Sequence, residues 1–280
     1  MLKNNHTYLI AEIGWNFIGN LNLAKKMILS AKNSGADFVK FQIWNPSNLK
    51  KGDWDKDGRK EIYKKAFLDK KKFKFLYEYS RKIKIKCFAS IFAKSELKDY
   101  LSITKEFVKI PSHEAYNLDL INECVKKFKF VFISCGCLKL FELKKLIKLT
   151  KSKKNIILMH CVSSYPLTSE NCNFKKFDYL KNFFSKVGYS GHYHGVEDAL
   201  FAIEKGAFVI EKHFTTNNGL PGRDNKFALL PEDFKFLTNY IKKKREFQIN
   251  KGLGLQKCEK DIYNNYRGRW SKWKKKYSFQ

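Results

Sequence analysis

Eight short apolar runs, each followed by a segment long enough for a helix, alternate through roughly the first 245 of the chain's 280 residues. No other feature restricts the fold so strongly. Runs such as Phe38–Ile43, Phe130–Ser134 and Ile156–Cys161 are apolar at nearly every position, as strands buried on both faces are. Strands joined through helices run parallel, because a helix-length crossover brings the chain back to the end it left. The other strands are expected at Tyr8–Ile13, Ile85–Ser90, Glu106–Pro111, Val187–Ser190 and Ala207–Lys212. A long polar loop runs from Trp44 to about Lys60. Count and length predict a (β/α)8 TIM barrel over residues 1–247. An open doubly wound sheet is the alternative, but no Gly-x-Gly-x-x-Gly follows the first strand. Residues 248–280 fall outside the alternation as a basic-aromatic tail, with Tyr263, Tyr266, Arg267, Arg269, Trp270, Lys272 and Trp273. The tail is expected to pack on the barrel or on a partner subunit. Nucleic-acid or membrane binding is the other reading of such a segment.

No run of about 18 apolar residues occurs, and the N-terminus leads into a strand without signal-peptide architecture. Seven cysteines, an odd number without paired spacing, suit a reducing compartment, so a cytoplasmic location is expected. Lys and Arg total 56 against 27 Asp and Glu, a formal charge of +29. The basic runs, Lys64–Lys74, Lys82–Lys86, Lys144–Lys154 and Lys242–Arg245, are dispersed through the chain. They read as solvated faces, and nucleic acid is not an expected partner. Such a field would also favour an anionic substrate.

In a barrel of this kind the active site lies at the C-terminal ends of the strands. Lys40 and Lys109 stand inside apolar strands, where an ammonium is costly unless paired. With the hydroxyls of Ser112, Ser134 and Ser190 they form a site for a phosphate or carboxylate. Glu12 and Glu114 can balance that charge and act on protons. His192 and His213 end neighbouring strands and can hold a divalent metal that polarises a carbonyl. Hydrogen-bonded core histidines are the other reading of that pair. His160 reads as core, His194 as surface, and His113 as either lining the site or facing away. Lys212 fits a salt bridge to a neighbouring acid better than a Schiff base. Cys135-Gly-Cys137 is too short for a zinc site. Asp53-Trp-Asp55-Lys-Asp57-Gly58 copies the opening of a calcium loop, but its twelfth position is Lys64 and not Glu. It reads as a solvated loop over the barrel mouth.

Five motifs, in order and suitably spaced across residues 8–247, resemble the sialic acid synthases, the family of N-acetylneuraminate, legionaminate and pseudaminate synthases. They are Ala11-Glu-Ile-Gly-Trp-Asn16, Gly35-Ala-Asp-Phe-Val-Lys-Phe-Gln42, Lys109-Ile-Pro-Ser-His-Glu114, Gly188-Tyr-Ser-Gly-His192, and Ile210-Glu-Lys-His-Phe-Thr215 with Leu220-Pro-Gly-Arg-Asp224. The resemblance implies a barrel transferase of the N-acetylneuraminate synthase type. Such an enzyme condenses phosphoenolpyruvate with an N-acylated amino sugar, such as N-acetylmannosamine, and releases phosphate by C–O cleavage. It further implies phosphoenolpyruvate contacts at Lys40, Lys109, Ser112, Ser134, Ser163 and Ser190. Glu114 would lie near the reacting C2 and Glu12 on a sugar hydroxyl, with Asn16, Gln42, Tyr165 and Asp224 in the substrate site. His192 and His213 match the two metal histidines, which would hold Mn²⁺, with Mg²⁺ or Co²⁺ as alternatives. A homodimer is expected.

The chain departs from the family pattern at several points. Gly191 stands where Asp usually precedes the metal histidine, a change expected to weaken metal binding. An aspartate restored there is expected to leave activity unchanged or raise it. Ser163 replaces a frequent Asn, Ser134-Cys-Gly-Cys137 replaces Ser-Thr-Gly-Met, and Ile91-Phe-Ala93 replaces Pro-Phe-Asp. Most members carry a C-terminal antifreeze-like domain that reaches the partner subunit's site. Gln280 comes too early to hold it, so the barrel domain alone is expected, with a separate protein as candidate source of the other domain. Two alternatives follow: a phosphoenolpyruvate-dependent synthase acting on a different aldehyde, or a barrel that has lost catalysis and binds through its basic surface.

Overall fold

The computed structural model describes residues 2, 6–53, 56 and 58–270. Trp54, Asp55 and Asp57 of the acidic loop lie outside the described residues, as do Lys272 and Trp273 of the tail. The chain forms two compact units, Met1–Ile241 and Lys242–Gln280.

The first unit is a (β/α)8 barrel. Strands β1 (Tyr8–Gly14), β2 (Phe38–Ile43), β3 (Lys86–Ile91), β4 (Phe107–Ile110), β5 (Phe130–Ser134), β6 (Ile156–Cys161), β7 (Val187–Gly191) and β8 (Val209–His213) close in sequence order. All pairs are parallel, and β8 returns to β1 with Tyr8 opposite Val209 and Glu12 opposite His213. The helices are α1 (Leu21–Asn33), α2 (Arg59–Ala66), α3 (Lys70–Lys82), α4 (Lys94–Leu101), α5 (Leu118–Lys127), α6 (Leu140–Thr150), α7 (Lys175–Lys181), α8 (Glu197–Glu204), α9 (Arg223–Phe227) and α10 (Pro231–Phe247).

Local chemistry sets where these helices start. Asn20 Oδ1 accepts from the amides of Asn22 and Leu23 at 3.0 Å and opens α1, while Asp69 accepts from Lys72 N at 2.8 Å and opens α3. The buried stripe of α1, Ala24, Met27, Ile28 and Ala31, repeats at helical spacing and packs on the strands. Strand β4 stops at Ile110, one residue short of the expected Pro111. Helix α2 lies just past the expected polar loop and was not expected. Its mean hydropathy is low, and only Tyr63 and Ala66 are buried, so little periodicity marks it.

Strand periodicity divides the interior in two. Residues of one parity, with Val39, Val108, Val131 and Leu158 among them, face the helices and make the larger core. The other parity faces the barrel axis. There Tyr8, Ile10, Phe38, Phe88, Phe107, Phe132, Ile157 and Met159 form a separate aromatic-rich cluster. One or two steps later along the same strands, the inward positions become charged or hydroxylic.

The described part of the second unit holds α11 (Lys260–Asn265), with Tyr266 stacked on Trp270 at 6.2 Å and the Arg267 guanidinium 4.7 Å from the Tyr263 ring centre. No helix among the described residues is long and apolar enough to cross a membrane.

Candidate active site

Inward positions at the C-terminal ends of the strands surround a cavity of about 260 Å³. Its floor is a buried four-charge network. Lys40 Nζ donates to Ser90 Oγ at 2.8 Å and lies 2.7 Å from Glu12 Oε2. Lys109 Nζ donates to Glu211 Oε2 at 2.8 Å, and Lys40 stands 3.7 Å from Glu211 Oε1. Ser190 Oγ donates to that same oxygen at 3.1 Å, and Gln42 Nε2 donates to Glu12 Oε1 at 2.7 Å.

The two carboxylates differ in acidity. Burial would raise Glu211, but the ammonium groups of Lys109 and Lys40 outweigh it and hold the carboxyl near 2. Burial raises Glu12, and Lys40 only partly opposes this while Glu211 reinforces it. Glu12 is thus the floor carboxylate more ready to take a proton. Burial lowers Lys109, against the pull of Glu211.

Hydroxyls gather beside the floor. Ser134 Oγ and Ser163 Oγ are buried and have no well-aligned hydrogen-bond partner among the described residues. Unpaired buried hydroxyls are costly, and a bound oxyanion would satisfy them. Gly136 N donates to Ser112 Oγ at 3.1 Å. A Cβ on Gly136 would stand 2.6 Å from both Ser112 Oγ and Ser163 Oγ, so only glycine lets the backbone approach this cradle.

The histidines form one wall, with ring centroids 5.5 Å apart. His192 Nδ1 donates to Val162 O at 2.9 Å, which leaves Nε2 as the lone-pair nitrogen. His213 Nδ1 is buried without a hydrogen-bond partner among the described residues, 3.8 Å from Asp224 Oδ2. Burial lowers both imidazoles, and His192 adds to the effect on His213, so both are held neutral. Two neutral imidazoles with an orphaned nitrogen suit a divalent ion. Among the described residues no third His, Cys, Asp or Glu completes a ligand set, so the remaining positions would be open to water or substrate. Tyr165 lies against His192 at 4.1 Å between centroids, and the Arg223 guanidinium stacks on Tyr165 at 4.4 Å.

Of the residues expected in the site, Glu12, Lys40, Gln42, Lys109, Ser112, Ser134, Tyr165, Ser190, His192, His213 and Asp224 line the cavity. Ser163 reaches the cradle beside Gly136. Asn16 and Glu114 are not in the lining. Asn16 braces loops: its Nδ2 donates to Phe214 O at 2.9 Å, and its carbonyl accepts from Asn225 Nδ2 at 3.2 Å. Glu114 is partly buried in a 3-10 turn, with Oε1 3.9 Å from His113 Nδ1, and it is His113 that lines the cavity. His160 is core, with Nε2 donating to Cys172 O at 2.7 Å.

Sequence reasoning missed the central place of Glu211. It lies two residues before His213 on one strand and therefore on the same face, a parity that could have revealed it. Reasoning also missed Arg223 and the aromatic residues Trp15, Trp44, Tyr63 and Phe92.

Gly191 is explained by its neighbours. Lys212 Nζ donates to Asp198 Oδ1 and Oδ2 at 2.7 and 2.9 Å and to Tyr193 O at 2.7 Å, while the Tyr189 hydroxyl donates to Asp198 Oδ2 at 2.9 Å. A Cβ on Gly191 would lie 2.2 Å from Asp198 Oδ2 and 2.6 Å from Tyr189 Cε1. The carboxylate of Asp198 already fills that space, contrary to the expectation that an aspartate would be tolerated at 191.

A parallel barrel with buried lysines, free hydroxyls and paired histidines at its C-terminal mouth defines a TIM-barrel protein equipped for an anionic ligand. The chain belongs to the NeuB family, whose model matches residues 27–252. It is 34% identical over 275 residues to the N,N'-diacetyllegionaminic acid synthase of Campylobacter jejuni, covering 92% of this chain and 81% of that protein. It is 32% identical over 268 residues to a pseudaminic acid synthase of the same species, covering 91% and 77%. The crystal structure of N-acetylneuraminic acid (sialic acid) synthetase from Leptospira borgpetersenii, in complex with citrate, superposes with a TM-score of 0.81 at 32% identity, covering 95% of this chain and 93% of that one.

Proposed function

We propose that this protein condenses phosphoenolpyruvate with the open-chain aldehyde of an N-acylated amino sugar to give a nonulosonic acid. The observation that carries the reading is that one cavity is lined by two buried lysines, the orphaned hydroxyl of Ser134 and two neutral histidines. The named activities of the relatives support the same chemistry.

Lys109, Lys40 and the hydroxyls of Ser112, Ser134, Ser163 and Ser190 hold the phosphate and carboxylate of phosphoenolpyruvate. The aldehyde faces His192 and His213. A divalent ion held by these two histidines, Mn²⁺ first and Mg²⁺ or Co²⁺ otherwise, supplies carbonyl polarisation when bound. C3 of phosphoenolpyruvate forms the new C–C bond to the aldehyde carbon, and the aldehyde oxygen takes a proton and becomes a hydroxyl. Water adds at C2 and loses a proton. The C2–O bond of the tetrahedral intermediate then breaks, phosphate leaves with the bridging oxygen and takes up the proton of the C2 hydroxyl, and C2 becomes the ketone. Glu12, which burial raises against the pull of Lys40, is the floor carboxylate we assign to carrying these protons. Tyr165, Arg223 and Asp224 border the sugar side.

The test is phosphate release. It is expected only with phosphoenolpyruvate, an amino-sugar aldehyde and Mn²⁺ together. Phosphoenolpyruvate labelled with ¹⁸O in the bridging position should place the label in phosphate. No release with N-acetylmannosamine or any 2,4-diacetamido hexose would sink the proposal.

A further inference from the structure

The cavity accounts for the inner faces of β7 and β8. Their outer faces hold a second charged group that the reaction does not use. Strand alternation sends Ser190, His192, Glu211 and His213 inward, and Tyr189, Gly191 and Lys212 towards the helices. Lys212 stands opposite Gly191 in the β7–β8 ladder and is buried beside α8, whose packed face is otherwise Ala199, Ala202 and Ile203.

The Lys212 ammonium has three hydrogens and finds three acceptors. Two are the carboxylate oxygens of Asp198, at 2.7 and 2.9 Å, and the third is the carbonyl of Tyr193 at 2.7 Å. Asp198 is fixed in turn by the Tyr189 hydroxyl at 2.9 Å and the Ala199 amide at 2.8 Å. The ion pair therefore ties together the start of α8, β8 one residue before His213, and the chain one residue after His192. His192 is also gripped from the connection after β6. Leu167 N donates to its carbonyl at 3.0 Å, and its Nδ1 donates to Val162 O at 2.9 Å. The Lys212 bond adds the tie to the strand that carries the other histidine.

A buried ion pair contributes little to stability, because desolvation of both charges offsets their attraction. An apolar pair of similar volume would pack under α8 as well. It could not hold the Tyr193 carbonyl at a fixed point. We infer that Asp198 and Lys212 are positioning residues for His192, fixing the end of β7 so that its imidazole keeps its place beside His213. The family pattern has an aspartate at position 191, on β7 itself. This chain delivers a carboxylate from α8 into the space that a side chain at 191 would occupy. The inference rests on the reading of the two histidines as holders of a divalent ion.

The experiment uses the full chain and reads two quantities. Mn²⁺ binding without substrates is followed by electron paramagnetic resonance of the free ion. The Nδ1–H proton of His192 is followed, without metal, by NMR of ¹⁵N-histidine-labelled protein. Lys212→Met with Asp198→Leu removes both charges at similar volume. Its thermal midpoint should hold, while Mn²⁺ affinity falls about 10–100-fold and the His192 proton is lost to exchange with water. In turnover, kcat should fall and KM for phosphoenolpyruvate should change little, since Lys40, Lys109 and Ser134 are carried by β2, β4 and β5. Gly191→Asp with Asp198→Ala returns the carboxylate to β7 and should recover most of the affinity. Asp198→Asn, which keeps the shape and removes the charge, is read in the same way should the apolar variant not fold. Unchanged Mn²⁺ affinity with the His192 proton still protected means that the pair only packs, and overturns the inference. So does a relocated carboxylate that folds but recovers nothing. Loss of the His192 proton in the variant, when the wild type itself takes up no Mn²⁺, upholds the positioning role and overturns the metal reading.

Discussion

The barrel interior contains two regions made by the same strands, and they are built on opposite terms. Towards the strand N-termini it is an aromatic plug, where Phe38 packs on Phe107 at 5.1 Å and Phe88 on Phe132 at 5.4 Å. Two residues further along, Phe38 gives way to Lys40, Phe88 to Ser90, Phe107 to Lys109 and Phe132 to Ser134. Val209 is followed in the same way by Glu211, and Ile10 by Glu12. The plug gains from apolar burial and ring contacts. The site must desolvate four charges and leaves hydroxyls unpaired, which costs stability and prepares it for a ligand. The comparison shows how a parallel barrel can hold a destabilising site on a stabilising base without changing strand register.

The sharpest way to break this contrast is to make the site resemble the plug. Lys109→Met with Glu211→Gln replaces a buried ion pair by neutral groups of similar size. Phosphate release should fall about a thousandfold, while the urea midpoint should stay level or rise, by up to about 2 kcal/mol in stability. A large loss of stability would show that the ion pair holds the fold. The converse change, Phe132→Ala, opens a cavity in the plug and should cost about 3–5 kcal/mol in urea unfolding. The residual folded protein should keep most of its turnover.

Gly191→Asp should destabilise by about 3 kcal/mol, since it drives one carboxylate into another. Combined with Asp198→Ala, which empties the space, the loss should be largely reversed in thermal unfolding. The pH dependence gives the last test. Burial pushes His160 down to about 4. A base whose folded pKa lies below its ordinary value contributes stability above about pH 6.5 and loses it as pH falls towards 4. The shift corresponds to at most about 3 kcal/mol across that window. His160→Phe should flatten this part of the stability–pH curve, whatever it does to stability at neutral pH.

Much of the molecule is legible from local signals. Apolar runs, helical spacing and strand-end polarity are properties of neighbouring residues, and they place nearly every strand and most helices. The same parity brings Lys40, Lys109, His192 and His213 inward, because a strand alternates faces whatever surrounds it. Other features depend on partners remote in the chain. Lys109 meets Glu211 across 102 residues, and Asn16 reaches Phe214 across 198. No local pattern marks those pairings, which arise only when β8 closes on β1. Helix α2 escaped notice because only Tyr63 and Ala66 of it are buried.

What the sequence determined by itself is the parallel barrel, the end at which its chemistry lies, and the residue types available there. Only the tertiary structure decided how those charges pair, that Asp198 occupies the space beside Gly191, and that four rings from separate segments form one wall. The physical reason is range. Strand and helix periodicity act over a few residues, whereas burial, ion pairing and close packing are set by whichever distant side chains the closed barrel brings within about 4 Å.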